Sequence, residues 1–436
     1  METAARSGLG QRLAQVGGSR LLRQNVILFA GGLVAGIGGF VYHSIAGRVL
    51  GPELYGQVAS LIAIYAVGTA PAFIIILVLA RYAATLSARG DVGAIRNLMT
   101  RTMTLVVIPC LVAVGLTALI AHPAAAFLHL SNSVPILILG IAIALVWQVA
   151  IPRGVLQGLQ RFTALSLNNS LELVTRTVIV FGLLRAGSGV SGAMAAVLTG
   201  LILAYALGIH SLRRMAGRDG ARVRLRVMAS FSLTAAGGII GVLLLYNQDV
   251  ILAQHYLTNH EAGIYGGLNK IGTILYFLTL SVSQVLFPRV VEAVAKEQHP
   301  GRILFSSAMI LTALCACALA VFAVVPGLVV GVLFGKGFVD ATPYVLAVGF
   351  IGLTLSLDNL LVQFCMAVHD RVFVPILAVA CVAEFVLIVQ FHNGVGQVVT
   401  DVLVTLVALL VLLTVRCYLL LPTLRAESVA EPAAAV

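Results

Sequence analysis

The chain has 436 residues, 60% of them hydrophobic and 10% charged, with a mean hydropathy of +1.06. Soluble domains are about half apolar and about a quarter charged, so the composition argues against a soluble enzyme and for a polytopic membrane protein. The net charge of +11 is not a nucleic-acid signal, because the basic residues sit between apolar stretches and no basic cluster is interleaved with aromatics.

A membrane-spanning helix needs about 20 mostly apolar residues. Twelve stretches meet this: 25–46, 56–80, 97–121, 133–155, 163–184, 190–212, 229–251, 262–288, 304–325, 341–367, 371–391 and 397–421. With both termini on the cytoplasmic side, nearly every loop arginine and lysine falls on that side, as the positive-inside rule requires. Only Arg48, Arg185 and Lys336 fall on the outer side. The expected organisation is a basic N-terminal segment (1–24), a first lobe of six helices (25–212), a basic cytoplasmic connector (213–228), a second lobe (229–421) and a disordered tail (422–436).

The two halves repeat each other. AGG at 30–32 returns at 236–238, and LGPELYG at 50–56 resembles LTNHEAG at 257–263. Phe127 has a counterpart in Phe334, and LQGLQRF at 156–162 loosely matches MAVHDRVF at 366–373. The offsets cluster near 207, and six helices per half gives both halves the same orientation. Parallel repeats of this kind place a transport site at the interface between halves.

Ionisable residues inside a membrane are expensive and are by default functional. In LNNSLELVTRTVIVFGLL, residues 167–184, Asn168, Glu172 and Arg176 recur every four residues and share one helix face. At 1.5 Å per residue, Glu172 lies about 13 Å in from the helix start and Arg176 about 20 Å in. Such a face looks into the protein, toward a hydrated cavity. An i,i+4 pair that neutralises itself for packing is the other reading. The eighth helix carries Tyr265, Asn269, Thr273 and Tyr276 as a polar stripe, with Lys270 at its edge. Asp249 closes the seventh helix, Asp358 lies in the tenth, Glu384 in the eleventh, and Arg48 at the outer end of the first. Asp249 and Arg48 also fit helix-end anchors. The glycines of FAGGLVAGIGG and AAGGIIG read either as bending points or as close-packing surfaces.

No Walker loop, HExxH or triad pattern is present, no metal-ligand spacing is found, and no cofactor is expected. The six cysteines all lie in apolar stretches and read as small buried side chains.

AGRVLGPELYGQVAS at 46–60, RGVLQGLQRF at 153–162 with LELVTR at 171–176, DVILAQHYLTNHEAGIY at 249–265 and LFGKGF at 333–338 resemble the polysaccharide-transporter branch of the multidrug/oligosaccharidyl-lipid/polysaccharide (MOP) exporter superfamily. The resemblance covers nearly the whole chain. It implies an all-α protein of about twelve transmembrane helices in two parallel six-helix lobes, V-shaped around a central cavity. It also implies a flippase of the bacterial or archaeal cytoplasmic membrane that moves polyprenyl-diphosphate-linked oligosaccharides by alternating access. Its implied partners are the lipid-linked glycan, membrane lipids, and the glycan polymerase and glycosyltransferases of the same pathway.

On this sequence the cavity candidates are Arg176 and Lys270, one per lobe, with Glu172, Asn269, Asp249 and Arg48. Glu384 and Asp358 are the ion-coupling candidates. The acidic residues depart from a simple anion cage. They keep a cation-coupled multidrug exporter open as an alternative. A membrane-embedded polymerase or glycosyltransferase is a further alternative, although no loop is long enough for an extramembrane catalytic domain.

Overall fold

The structure, a computed structural model, describes residues 2–213, 229–295 and 300–430, and side chains over a narrower part of these. The basic connector expected at 213–228 lies outside the described residues apart from Arg213. Lys296 and residues 431–436 of the expected tail also lie outside them.

Helix fills almost all of the described chain, and no strand occurs among the described residues. Lipid offers backbone groups no water to bond, and a helix satisfies each N–H and C=O within its own segment. α1 (Glu2–Gly68) turns a corner at Gly51, where φ is 70° and ψ 174°, just before Pro52. Glycine tolerates positive φ, and proline lacks the N–H that would continue the preceding turn. The corner divides α1 into a first pass and the start of a second, which α2 (Ala70–Ala88) completes. The first half continues with α3 (Val92–Leu119), the short α4 (Ala121–Phe127), α5 (Val134–Gly158), α6 (Phe162–Arg185) and α7 (Gly189–Leu212).

The second half opens with α8 (Ala229–Leu245) and α9 (Gln248–Tyr256), one pass broken around Asn247. It continues through α10 (Asn259–Ala295), α11 (Pro300–Val324) and the short α12 (Pro326–Leu333). A 3-10 helix (Lys336–Tyr344) leads to α13 (Val345–Ala367), α14 (Phe373–Gln390) and α15 (Val395–Ala430).

Nine stretches among the described residues are long and apolar enough to cross a bilayer. One of them, Gly36–Ala88, holds 53 residues, which is ample for two passes. α6, with 24 residues, is not among the nine, and it carries the Asn168, Glu172 and Arg176 face.

Two lobes result. α1, α2, α3, α5, α6 and α7 pack on one another, and α8 to α15 form the second group. The lobes join chiefly where α1 crosses α10 and α9.

The backbone repeats as the sequence does. Left-handed turns follow α4 at His129 (φ 53°) and α12 at Gly335 (φ 85°). They follow α5 at Gln160 (φ 54°) and α13 at His369 (φ 57°), and α6 at Gly187 (φ 79°) and α14 at Gly394 (φ 108°). Each pair is separated by 206 to 209 residues, so the two halves are built on one template.

Candidate functional site between the two lobes

Three helices of the N-lobe meet at a polar knot. Arg153 of α5 donates to Glu172 of α6 at 2.5 Å and, through Nε, to Asn168 Oδ1 at 2.8 Å. Asn168 Nδ2 in turn donates to the Ala204 carbonyl of α7 at 2.7 Å. Gly200 lets α7 approach this closely, since a Cβ there would lie 2.8 Å from the Glu172 carbonyl oxygen. The i,i+4 reading of Glu172 with Arg176 is thereby corrected. The carboxylate pairs with Arg153, near the end of α5, because α5 packs against the Asn168/Glu172 face.

Arg176 forms no salt bridge among the described residues. Its side chain is buried, and its guanidinium lies 3.9 Å from the centre of the Tyr42 ring, within cation–π range. Its Nε has no hydrogen-bond partner. The Tyr42 hydroxyl is anchored on the Ala193 carbonyl at 2.9 Å, which fixes the ring beneath the cation. The next residue, His43, is buried and bonded through Nδ1 to the Tyr55 hydroxyl at 3.1 Å.

Lys270 of α10 supplies the matching charge from the C-lobe. It is buried, and its Nζ lies 6.0 Å from the Tyr246 ring centre. Arg176 and Lys270 are near enough to interact electrostatically, and both act on His43. Neither forms a salt bridge among the described residues. Each lobe thus holds one buried cation beside an aromatic ring, Arg176 at Tyr42 in the N-lobe and Lys270 near Tyr246 in the C-lobe.

Asp249 and Asn269 form a separate group behind Lys270. Asp249 Oδ2 accepts from the Tyr265 hydroxyl at 2.6 Å and from Asn269 Nδ2 at 3.0 Å. Asp249 Oδ1, Asn269 Oδ1 and the Tyr246 hydroxyl have no partner, and all three residues line a cavity of about 20 Å³. That is room for roughly one water-sized occupant. Glu384 of α14 is fully buried beside Gln248, with no well-formed bond to either oxygen. Asp249 and Glu384 are both buried, as is Asp401 of α15. Asp358 of α13 is buried and unbonded but does not line this cavity. Among the described residues no group of three or more His, Cys, Asp or Glu is arranged to hold a metal.

Arg48 lies apart from these groups. It is exposed, and its Nη2 donates to the carbonyls of Gly331, at 3.2 Å, and Val332, at the end of α12. Ser44 donates to the next carbonyl, Leu333. His255, 207 positions after Arg48, makes the corresponding contact in the other direction. Its Nδ1 bonds the Phe127 carbonyl at the end of α4 at 2.9 Å, and its ring stacks on Phe127 at 3.8 Å. Gln254 Nε2 donates to the Leu128 carbonyl at 3.1 Å, and His129 Nδ1 bonds the Gln254 carbonyl at 3.1 Å. These side-chain hydrogen bonds between the lobes all lie at the Gly51 end. Unpaired carbonyls at helix C-termini attract donors and cations, which explains why Arg48 and His255 settle there.

At the opposite end of the C-lobe, Asp370 follows α13 and accepts two bonds from Arg416 of α15, at 2.7 and 3.1 Å. Burial pushes the Asp370 carboxyl up, but the Arg416 bonds and nearby backbone N–H groups outweigh it and hold the carboxyl below its ordinary range.

Residues 21–294, more than half of the chain, match the family described as "Polysaccharide biosynthesis protein". The chain belongs to that family. Its fold is that of the MOP superfamily. An inward-facing multidrug resistance MATE family transporter of that superfamily superposes with a TM-score of 0.76 at 11% identity, over 92% of this chain and 99% of that one. The lipid II flippase MurJ in its inward closed conformation gives 0.70 at 10% identity, over 93% and 91%. The eukaryotic MATE transporter AtDTX14 gives 0.63 at 15% identity, over 93% and 99%. No curated protein matches the chain. The family member described here is a multi-pass membrane protein, and its fold is one that solved transporters share.

The sequence missed three participants. Tyr42, His43 and Arg153 reach the site only through packing. Tyr42 and His43 sit in a helix that reads as a plain apolar span, and Arg153 sits at the edge of another.

Proposed function

We propose that the protein is a flippase that carries a polyprenyl-diphosphate-linked oligosaccharide across the cytoplasmic membrane by alternating access. The observation that carries this reading is the placement of Arg176 and Lys270. Two cations are buried in different lobes, and among the described residues neither has a carboxylate in salt-bridge range. A charged residue at mid-membrane costs about 3 kcal/mol by insertion scales. A diphosphate supplies the missing counter-charge to both at once. The guanidinium can take it in a bidentate manner, and the ammonium acts as a compact point charge.

The alternation follows from the same geometry. With both termini cytoplasmic, the Gly51 end faces outward. The lobes are joined there by Arg48, Ser44, Gln254, His129 and His255, so the described state is closed to the outside. In this reading the buried carboxyls Asp249, Glu384 and Asp358 form the coupling element. A proton or small cation arriving there changes the charge behind Lys270 and weakens its hold on the anion. A membrane that consumes the flipped glycan needs a polymerase or transferases on its outer face, which are the expected pathway partners.

The acidic group in the C-lobe also fits an exporter of organic cations, the second reading. One experiment separates the two. Proteoliposomes carry a fluorescent polyprenyl-diphosphate oligosaccharide, and an impermeant quencher reports the label's leaflet. Faster equilibration than in empty liposomes, not competed by organic cations, supports the flippase. No acceleration under any imposed proton or sodium gradient, together with gradient-driven transport of a cationic dye, would establish the exporter instead.

A further inference from the structure

The N-lobe carries a second charged feature, at the end remote from Gly51, that the transport reading does not use. The start of α3 and the ends of α5 and α7 converge on a groove of about 270 Å³. Buried Ile95, Val155 and Leu212 line its floor, and exposed Arg96 and Arg213 stand at its rim. Arg161 adds a third cation nearby, bonded through Nη1 to the Ser211 carbonyl at 3.3 Å.

These cations have little acid to meet. Between residues 54 and 171 the sequence contains one acidic residue, Asp91. Its carboxylate accepts the Ala94 N–H at 2.8 Å and caps α3. Neither Arg96 nor Arg213 makes an ion pair among the described residues. An apolar floor with two guanidinium groups that have no ion pair among the described residues, at a membrane boundary, therefore asks for a ligand that is anionic at one end and apolar at the other.

We propose that this groove binds the headgroup of an anionic phospholipid, its phosphate between Arg96 and Arg213 and its first acyl carbons on the Ile95–Val155–Leu212 floor. Basic pockets between helices at the cytoplasmic surface hold anionic headgroups in this way. Guanidinium is the side chain suited to bidentate phosphate contact. A zwitterionic lipid brings its own cation toward Arg96 and Arg213 and is disfavoured. Free phosphate leaves the apolar floor uncovered.

The test is native mass spectrometry of the full chain in detergent, titrated with phosphatidylglycerol, phosphatidylcholine or inorganic pyrophosphate. Wild type retains phosphatidylglycerol, and Arg96→Gln/Arg213→Gln binds it roughly tenfold or more weakly, as expected for two surface cations removed. Arg89→Gln/Arg101→Gln loses the same charge outside the groove and binds as wild type does. Thermal unfolding without lipid checks that each variant is folded. If the double variant is not, Arg96→Lys and Arg213→Lys singly keep the charge and retain binding. Three results overturn the proposal: equal loss in both double variants, equal retention of phosphatidylcholine, or displacement of the lipid by equimolar pyrophosphate. The first means diffuse attraction, and the last means a phosphate site without lipid preference.

Discussion

Gly56 and Gly263 occupy equivalent positions in the two halves, 207 residues apart, and pack directly against each other. A methyl group built on Gly56 lies 2.8 Å from the Gly263 backbone nitrogen and 2.6 Å from Gln254 Oε1. A contact between repeat-equivalent residues is what a pseudo-two-fold axis produces. α1 and α10 therefore cross on the axis that relates the lobes, and the absence of side chains there lets the Gly51 end close.

Gly56→Val is expected to hold that end apart. In a background without native cysteines, Ala262→Cys is buried in the closed state and labels slowly with an impermeant maleimide. Adding Gly56→Val raises the labelling rate tenfold or more, since a shift of about 1.4 kcal/mol suffices for that. An unchanged rate means that the glycine contact does not set closure.

Arg48 and His255 act as paired fasteners on either side of that axis. Each bonds a helix-end carbonyl of the opposite lobe. Arg48→Ala or His255→Ala alone raises Ala262→Cys labelling severalfold, matching a lost bond of about 1 kcal/mol. The double variant multiplies the two effects. If Arg48→Ala leaves labelling unchanged but lowers substrate affinity, Arg48 belongs to the cavity after all.

The Arg153–Glu172 pair is a packing element of the N-lobe. Breaking it with Arg153→Ala leaves a carboxylate buried without its partner, which typically costs about 3–5 kcal/mol. Arg153→Met/Glu172→Leu removes both charges and is much milder. Melting temperatures in detergent rank them as wild type near the double variant, with the single variant well below. A single variant that melts like wild type shows that the pair contributes nothing.

Asp370 provides a pH signature. Its carboxyl is held below its ordinary value by Arg416 and backbone N–H groups. The stabilisation is therefore complete above the unfolded-state value of about 4 and disappears as pH falls through the lower folded value. The melting difference between wild type and Asp370→Asn is constant from pH 5 to 8 and shrinks below about pH 4. A difference that grows on acidification contradicts this sign.

The sequence carried the architecture because membrane helices announce themselves by apolar length and by the side on which arginines fall. The repeat was legible in LGPELYG and LTNHEAG, and the structure realises it as the Gly56–Gly263 contact. The site was legible only in part. Arg176 and Lys270 stand out because charge in an apolar span has no cheap explanation. Their neighbours Tyr42 and His43 do not, since aromatics are common in such spans. The partner of Glu172 was not legible either. An i,i+4 spacing fixes the face of a helix but not which neighbouring helix lies against it, and Arg153 comes from 19 residues away. Arg48 reads from the sequence either as a cavity cation or as a helix-end anchor, and its bonds to the α12 carbonyls favour the anchor. α12, whose carbonyls hold it, was not visible as a helix within an outer connection.

The central claim is that Arg176 and Lys270 jointly hold an anion between the lobes. The direct measurement is the rate at which wild type, Arg176→Gln, Lys270→Gln and the double variant equilibrate a fluorescent polyprenyl-diphosphate oligosaccharide across proteoliposomes. Each single variant should lose at least tenfold in rate with a normal melting temperature. The double variant should lose little more than the worse single, because the two charges act on one diphosphate. Full-rate flipping by the folded double variant would contradict the account and move the site elsewhere in the cavity.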